Sequence, residues 1–257
     1  LPTGLLLRMA LTEGDAQFGA RFVTLTINSF TLAGVTALAG VMLALVMAYA
    51  LRLRPGPLTR AANRLAGLGY AIPGAVIAIG ILVPVARLDN AVDAWMRLHF
   101  DISTGLLLTG SITALVYAYL VRFLTVALQT VEAGLTKITP SMDEAARSLG
   151  VGPLGTLVRV HGPLMRGSLL TAGLLVFIDV MKELPATFVM RPFNFDTLAV
   201  QAYNLAADER LAEASTSALA IVAVSLLPLI VLSLRIARTR TETSHVIELP
   251  KQPAPLA

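Results

Sequence analysis

Cysteine is absent from the 257 residues of this sequence. Its absence excludes a disulfide framework and any metal site built on thiolates. The redox compartment is left open, because a chain without thiols is compatible with reducing and oxidising surroundings alike.

Charged residues are also scarce. They make up 14% of the chain, whereas soluble domains carry roughly 25%. Hydrophobic residues make up 56%, and the mean hydropathy is +0.75. This composition predicts an integral membrane protein embedded in a lipid bilayer. The basic residues sit beside apolar runs and are not interleaved with exposed aromatics, so the sequence gives no indication of nucleic-acid binding.

The sequence lacks the short motifs that carry catalysis. It has no Gly-x-x-x-x-Gly-Lys-Ser/Thr run, so the chain cannot cradle a nucleotide by itself. The histidines His99, His161 and His245 are scattered, and no His-Glu-x-x-His motif occurs. We therefore expect a chain that is not an enzyme, with no cofactor and no histidine-based metal site.

Long apolar runs dominate what is present. Five of them are long enough to cross a bilayer, and each should be an α-helix, because open strands leave their backbone unpaired in lipid. They are Phe22–Leu51, Leu65–Ala86, Gly105–Leu128, Ser168–Met190 and Ala214–Ile236. Small residues at helical spacing, Ala33 with Ala37 and Gly74 with Ala78, predict packing faces between the helices. The expected fold is an all-α bundle of about five spans.

The ends of the chain and two prolines add expectations. The apolar start, from Leu1 to Leu11, is too short to span and resembles no signal peptide, so we expect it to be the tail of an upstream helix. The chain would then be part of something longer. Residues 1–240 are expected to form the transmembrane domain and 241–257 a flexible cytoplasmic tail. Pro73 and Pro228 are expected to kink their helices.

Lys and Arg residues near the span ends predict the orientation. Thirteen of them fall on one side and six on the other. The richer side carries Arg52, Arg54, Arg60, Arg64, Arg122, Lys137, Arg147, Arg159, Arg166, Arg235, Arg238, Arg240 and Lys251. The poorer side carries Arg8, Arg21, Arg87, Arg97, Arg191 and Arg210. The richer side should be cytoplasmic.

A polar segment, residues 139–165, interrupts the apolar runs on that side. Ser141 and Glu144 match a capping box that would start one short helix, and Gly150 suits the left-handed residue that ends it. Pro153 would begin a second short helix, which His161 to Pro163 would stop. The pattern predicts a cytoplasmic helix–turn–helix. It fits equally a hairpin resting in the lipid interface and a docking element for a soluble partner.

The residues of this segment resemble the cytoplasmic coupling loop of binding-protein-dependent ABC importers. That loop reads Glu-Ala-Ala, three residues, Gly, nine residues, and Ile-x-Leu-Pro. The matching positions here are Glu144, Ala145, Ala146, Gly150 and Pro163, with Val160 in place of the isoleucine and Gly162 in place of the leucine. The resemblance implies that these residues and Arg147 couple the chain to an ATPase.

The resemblance extends over nearly the whole chain. The segment from Lys182 to Ser215 is similar to the subgroup of such permeases that imports ferric iron, commonly a fused permease with two homologous halves. This chain resembles the second half. The resemblance implies a bacterial inner-membrane protein whose partners are a cytoplasmic ABC ATPase dimer, a periplasmic iron-binding protein and a homologous permease half or second copy. Another small solute, such as thiamine, sulfate or a polyamine, is the alternative cargo.

Charges inside the fourth predicted span stand out. Asp179, Lys182 and Glu183 are three and four residues apart, which predicts one shared helical face. Ionisable groups within a span usually face the bundle interior or a water-filled cavity. The cluster is either an ion pair that locks packing or part of the pathway. It also leaves open an ion-coupled secondary transporter, with these three residues as its relay.

The segment from Arg191 to Ser215 should face the periplasm. We expect either a solvated loop with one short helix or a docking surface for a loaded binding protein.

Overall fold

The structure, a computed structural model, describes residues 2–12, 19–226 and 230. Over these residues every regular element is helical. The helices are α1 (Pro2–Thr12), α2 (Ala20–Leu53), α3 (Pro57–Ala66), α4 (Gly74–Phe100), α5 (Ile112–Leu135), α6 (Pro140–Ser148), α7 (Pro153–Thr156), α8 (Gly162–Met181), α9 (Pro185–Met190), α10 (Leu198–Ala207) and α11 (Leu211–Leu226). A 3₁₀ turn covers Gly69–Ala71, and a π turn covers Leu157–His161.

The core forms where α2, α5 and α8 pack together. Small residues let their backbones approach closely: Ala33, Ala37 and Ala44 of α2 are buried, as are Ala118 and Ala127 of α5. Close contact of this kind is the main source of helix association in lipid, where apolar burial gives no driving force. The predicted packing faces are confirmed, since Gly74 and Ala78 are buried as well.

Four helical stretches of the described part are long and apolar enough to cross a membrane: Ala20–Leu53, Gly74–Phe100, Ile112–Leu135 and Pro153–Met181. The first predicted span is confirmed. The fifth is described as the helix Leu211–Leu226, and its predicted end lies outside the described residues. Pro228 and the predicted tail 241–257 also lie outside them.

The predicted bounds of the second span are wrong. Leu65 belongs to the short amphipathic helix α3, and Pro73 precedes α4 as its N-cap residue and does not kink a helix. The far end of α4 runs well past Ala86, because Asp89 is satisfied inside the fold. Its carboxylate accepts the backbone N–H groups of Leu108 and Thr109 at 2.9 and 2.8 Å.

The same contacts explain why the third predicted span began too early. The stretch from Gly105 to Gly110 is a loop, held at its start by Asp93, which accepts the N–H groups of Thr104 and Gly105. The helix α5 begins only after Ser111, whose hydroxyl caps it through the N–H of Thr113. The apolar composition of this loop predicted a span, but hydrogen bonds to Asp89 and Asp93 hold the loop in a non-helical conformation.

The fourth predicted span, Ser168–Met190, is also wrong in its bounds. Pro185 has no N–H, and its ring would collide with the carbonyl of Met181, so α8 ends at Met181 and α9 begins at Pro185. At its other end the helix continues back through the π turn to Pro153.

Two sets of contacts mark opposite ends of the bundle. Arg52, at the end of α2, donates to the carbonyls of Leu135 and Ile138 beyond α5. At the start of α2, Arg21 donates to Gln201, and Ser29 accepts the N–H of Leu198. The polar segment and the segment around α10 are therefore at opposite ends. The predicted position of Arg122 beside the polar segment is wrong, because Arg122 lies within α5.

Candidate functional site: a surface hairpin and a buried ion pair

The polar segment folds as the predicted helix–turn–helix, but its first helix starts differently. Thr139 is the N-cap of α6, and Pro140 takes the first helical position, where a missing N–H costs nothing. Ser141 then lies inside the first turn and Glu144 is exposed, so the predicted capping box is wrong. The Ser141 hydroxyl instead lies 2.9 Å from that of Thr139.

Gly150 ends α6 as predicted. Its φ is +75°. Its N–H donates to Arg147 O, and the N–H of Val151 donates to Ala146 O, both at 2.9 Å. These two bonds form the Schellman arrangement that satisfies the last carbonyls of a helix. The turn is therefore set by hydrogen bonds that require a left-handed residue at this position.

The predicted stop at His161 to Pro163 is wrong. Pro153 begins α7 as expected, but the chain then continues through the π turn into α8, with Pro163 at the second position of that helix. The π turn accommodates Pro163, because the N–H of Gly162 bonds to Leu157 O, five residues back, as is typical of a π turn. The second arm of the hairpin is thus rigidly continuous with a membrane-spanning helix.

The hairpin presents a mixed surface. Glu144, Ala145 and Arg147 are exposed, whereas Ala146 is buried against the body of the protein. Leu149 is 81% exposed and Leu154 is 73% exposed. Large apolar side chains exposed on a polar element are typical of a surface that another protein covers.

His161 is fully buried, which the sequence did not indicate. Its Nε2 lies 2.7 Å from Oδ1 of Asp143, and its ring meets that of Tyr49 edge-on at 5.4 Å. Asp143 also accepts from Nε and Nη2 of Arg52 at 2.9 and 2.7 Å. The proximity of Arg52 and His161 to Asp143 had no local sequence signal, because the three residues are far apart along the chain.

The predicted cluster of Asp179, Lys182 and Glu183 does not share one face. Asp179 and Lys182 form an ion pair of 2.9 Å, and the Lys182 side chain is 61% exposed. Glu183 lies beyond the end of α8, where the chain turns, and is buried. Its Oε1 lies 3.5 Å from Nη1 of Arg122 and accepts the N–H of Ala186 at 3.2 Å.

Arg122 lies near the middle of α5, close against the first residue of α4. A Cβ on Gly74 would come within 2.1 Å of Arg122 Nη1 and 2.5 Å of Glu183 Oε1. Nε and Nη1 of Arg122 are buried without a hydrogen-bond partner. A solitary arginine inside an apolar span was the signal that could have identified this pair, because such residues usually mark a bundle interior or a water-filled cavity.

Two buried hydroxyl groups lie next to the pair. The Thr187 hydroxyl donates to the Glu183 backbone carbonyl at 2.7 Å, and the Tyr119 hydroxyl contacts Thr187. Around it the chain is interrupted twice, at the 3₁₀ turn before α4 and between α8 and α9. Irregular backbone at membrane depth is tolerated only inside protein or along a water-filled cavity. No group of three potential metal ligands among His, Cys, Asp and Glu occurs within the residues described.

For the segment Arg191 to Ser215, the solvated-loop alternative is wrong, although the segment does contain the expected short helix, α10. The segment packs against the bundle, since Leu198 and Val200 of α10 are fully buried. Arg191 forms an ion pair with Asp196 in the loop before that helix.

Residues 40–240 match the family described as "Binding-protein-dependent transport system inner membrane component". The chain belongs to this family. It is thus a component of a transport system, and its apolar helices are those of a multi-pass membrane permease.

Relatives of this permease are named for different transported substrates. The Fe(3+)-transport system permease protein FbpB 2 of Haemophilus influenzae is 28% identical over 213 residues, which are 83% of this chain and 39% of that protein. The putative 2-aminoethylphosphonate transport system permease protein PhnV of Salmonella typhimurium is 26% identical over 160 residues, which are 62% of this chain and 54% of that protein. The chain spans about two fifths of the first relative and about half of the second.

Solved structures share the fold of the permease. A bacterial ABC transporter involved in the import of alginate aligns with a TM-score of 0.66 at 15% identity, covering 93% of this chain and 88% of that one. The methionine ABC transporter MetNI, in an inward-facing conformation, aligns with a TM-score of 0.57 at 15% identity, covering 86% and 99%. The all-α importer-permease fold that the sequence predicts is confirmed.

Proposed function

We propose that this chain is the membrane-spanning subunit of an ATP-driven importer for ferric iron in the bacterial inner membrane. The observation that carries the proposal is the hairpin of residues 139–165, within the family match, with its exposed apolar residues Leu149 and Leu154. A cytoplasmic ABC ATPase dimer docks on the exposed residues of this hairpin. ATP hydrolysis takes place in that partner, and this chain performs no chemistry.

Closure of the ATPase moves the hairpin, and the hairpin moves the helices attached to it. The second arm runs without interruption into α8, so displacement at Leu154 is transmitted along a single helix to Met181. There the helix ends beside Glu183. The Arg122–Glu183 pair borders the pathway, which opens alternately to the two sides of the membrane.

Three features support a pathway at this pair. Two nitrogens of Arg122, Nε and Nη1, are buried without a hydrogen bond, the chain is non-helical on both sides of Glu183, and Lys182 exposes a charge next to it. A lysine exposed at the depth of a bilayer needs water or protein around it. The exposed Lys182 side therefore faces a homologous permease half or second copy, with the pathway between them.

The cargo rests on the ferric-iron relatives, and 2-aminoethylphosphonate is the second candidate. The observation that favours it is that Nε and Nη1 of Arg122 are buried without a hydrogen bond, because a guanidinium with such free donors would suit a phosphonate better than a ferric ion. A periplasmic solute-binding protein delivers either cargo to the face opposite the hairpin.

The test is uptake into vesicles that contain the chain with the other subunits of its own transport system. Radioactive ferric iron and 2-aminoethylphosphonate are offered separately, each with its binding protein, with and without ATP inside. We expect ATP-dependent accumulation of iron. Accumulation of the phosphonate alone would show that 2-aminoethylphosphonate, and not ferric iron, is the cargo. Accumulation driven by an ion gradient without ATP would contradict the proposal of an ATP-driven importer and favour a secondary transporter.

Orientation has its own test, since the natural chain has no cysteine. Single cysteines at Ser148 and Asp208, both exposed, should react with an impermeant thiol reagent from opposite sides of the membrane. Reaction from the same side would contradict the proposed topology.

A further inference from the structure

The hairpin of residues 139–165 is bonded to α2, a helix to which it is not directly connected along the chain. The hairpin follows α5 and leads into α8, so those two helices are attached covalently. The helix α2 is far away in sequence, yet its last two turns carry Tyr49 and Arg52, and both reach the hairpin.

Asp143 is the centre of this junction. One carboxylate oxygen accepts two hydrogen bonds from Arg52 of α2, and the other lies 2.7 Å from Nε2 of His161 in the π turn. A single side chain of α6 therefore bonds to α2 on one side and lies against the π turn that precedes α8 on the other. The side chains of Arg52 and Asp143 are only 18% and 25% exposed, and His161 is fully buried.

The junction differs from an ordinary surface ion pair. Exposed pairs between flexible side chains contribute little, because the two side chains lose freedom when they meet. Here the Arg52 guanidinium is fixed in place by the carbonyls of Leu135 and Ile138, which it caps beyond the end of α5. The Tyr49 hydroxyl adds a second link, since it donates to Pro153 O at 2.8 Å.

We propose that Asp143 is a positioning residue that clamps the hairpin to α2, so that α2, the hairpin and the start of α8 move as one rigid unit during transport. The inference rests on the proposed coupling function of the hairpin. Without the Asp143 carboxylate, the hairpin loses its side-chain link to Arg52 and keeps the Tyr49–Pro153 hydrogen bond, the short link 136–139 and the π turn. Displacement of the docking surface would then tilt the hairpin relative to α2, and α2 would not move with it.

The rigid unit is tested by distance measurement. Spin labels on cysteines at the exposed positions Leu53 and Ser148 report the separation of α2 and α6 in the assembled transporter. We expect one narrow distance distribution that is unchanged by ATP, and a broader one in Asp143→Ala. A distance that shifts with ATP, or an unchanged distribution in Asp143→Ala, would overturn the clamp.

Coupling is tested in the same preparation by ATP hydrolysis and ATP-driven uptake. Asp143→Ala should keep hydrolysis while uptake is lost, and Asp143→Asn, which can still accept from Arg52, should lose less. Asp93→Asn is the control, because it weakens another arginine-bound carboxylate, at the opposite end of the bundle.

Any loss of stability in Asp93→Asn should leave hydrolysis and uptake coupled. Uptake in Asp143→Ala at the native ratio to hydrolysis would overturn the inference. Absence of ATP-driven uptake in the native protein would instead contradict the proposed function, and the spin-label distances would still decide whether the clamp exists.

Discussion

Lys182 and Glu183 are adjacent in the chain, but their side chains have opposite environments. The Lys182 side chain is 61% exposed and pairs with Asp179, whereas that of Glu183 is 7% exposed and faces Arg122. The end of α8 at Met181 produces this separation, because Lys182 still follows the helix as its C-cap residue and pairs with Asp179, whereas Glu183 has left the helical path. The two charges should therefore respond differently to substitution.

Removing the Glu183 carboxylate should destabilise the protein far more than removing the Lys182 amine. Glu183→Ala leaves a guanidinium buried without a counter-ion, and breaking a buried pair in this way costs roughly 3–5 kcal/mol. Lys182→Met breaks an exposed pair, for which about 0–1 kcal/mol is expected. Thermal unfolding in detergent measures both. Equal shifts in the midpoint would show that Arg122 does not depend on Glu183.

Gly74→Ala should disturb the same pair from the side of α4. Its methyl group would collide with Arg122 Nη1 and Glu183 Oε1, and overpacking of this kind costs about 1–3 kcal/mol. Gly80→Ala in the same helix is the matched control, since a Cβ there meets nothing within 4 Å. Unfolding midpoints and ATP-driven uptake should fall for Gly74→Ala alone. Indistinguishable behaviour of the two variants would argue that the pair is mobile enough to step aside.

Gly150→Ala should strain the turn of the hairpin without any steric contact. Nothing lies within 4 Å of a Cβ at this position, so the effect comes only from the φ of +75°. The expected cost is roughly 1–2 kcal/mol. Gly167→Ala in α8 also meets open space and has ordinary helical geometry, so it should be neutral or slightly stabilising. The readout is the rate of hydrogen exchange at the Gly150 and Val151 amides, which should rise only in Gly150→Ala.

Substitutions at neighbouring positions of the hairpin should affect either ATPase docking or folding, depending on whether the side chain is exposed or buried. Glu144→Lys and Leu149→Asp change exposed side chains, so they should reduce co-purification of the ATPase while the unfolding midpoint of the chain stays unchanged. Ala146→Val enlarges a side chain that is 5% exposed, so it should lower the midpoint first. Full ATPase binding by both exposed variants would remove this face from the docking surface.

Much of the fold could be read from the sequence because it follows from local chemistry. Long apolar runs predict helices in lipid, and this principle found the first span. The turn at Gly150 was also predictable, since a left-handed residue at a helix end favours glycine. The helix signals around Gly150 predicted the hairpin, which the structure contains, whereas the coupling role of Glu144, Ala145 and Ala146 stays a prediction.

The helix ends were not predictable from apolar composition, because partners from elsewhere in the chain set them. Asp89 holds the loop around Leu108, so an apolar stretch became a loop and a charged residue became part of a helix. Arg122, Glu183 and Gly74 meet only once α4, α5 and the end of α8 are packed, as Arg52, Asp143 and His161 meet at the hairpin. The sequence determined which segments are helical, since periodicity and apolar content act locally. Only the tertiary structure decided which buried charges are neighbours, because a buried ion pair depends on distances between segments that no local pattern contains.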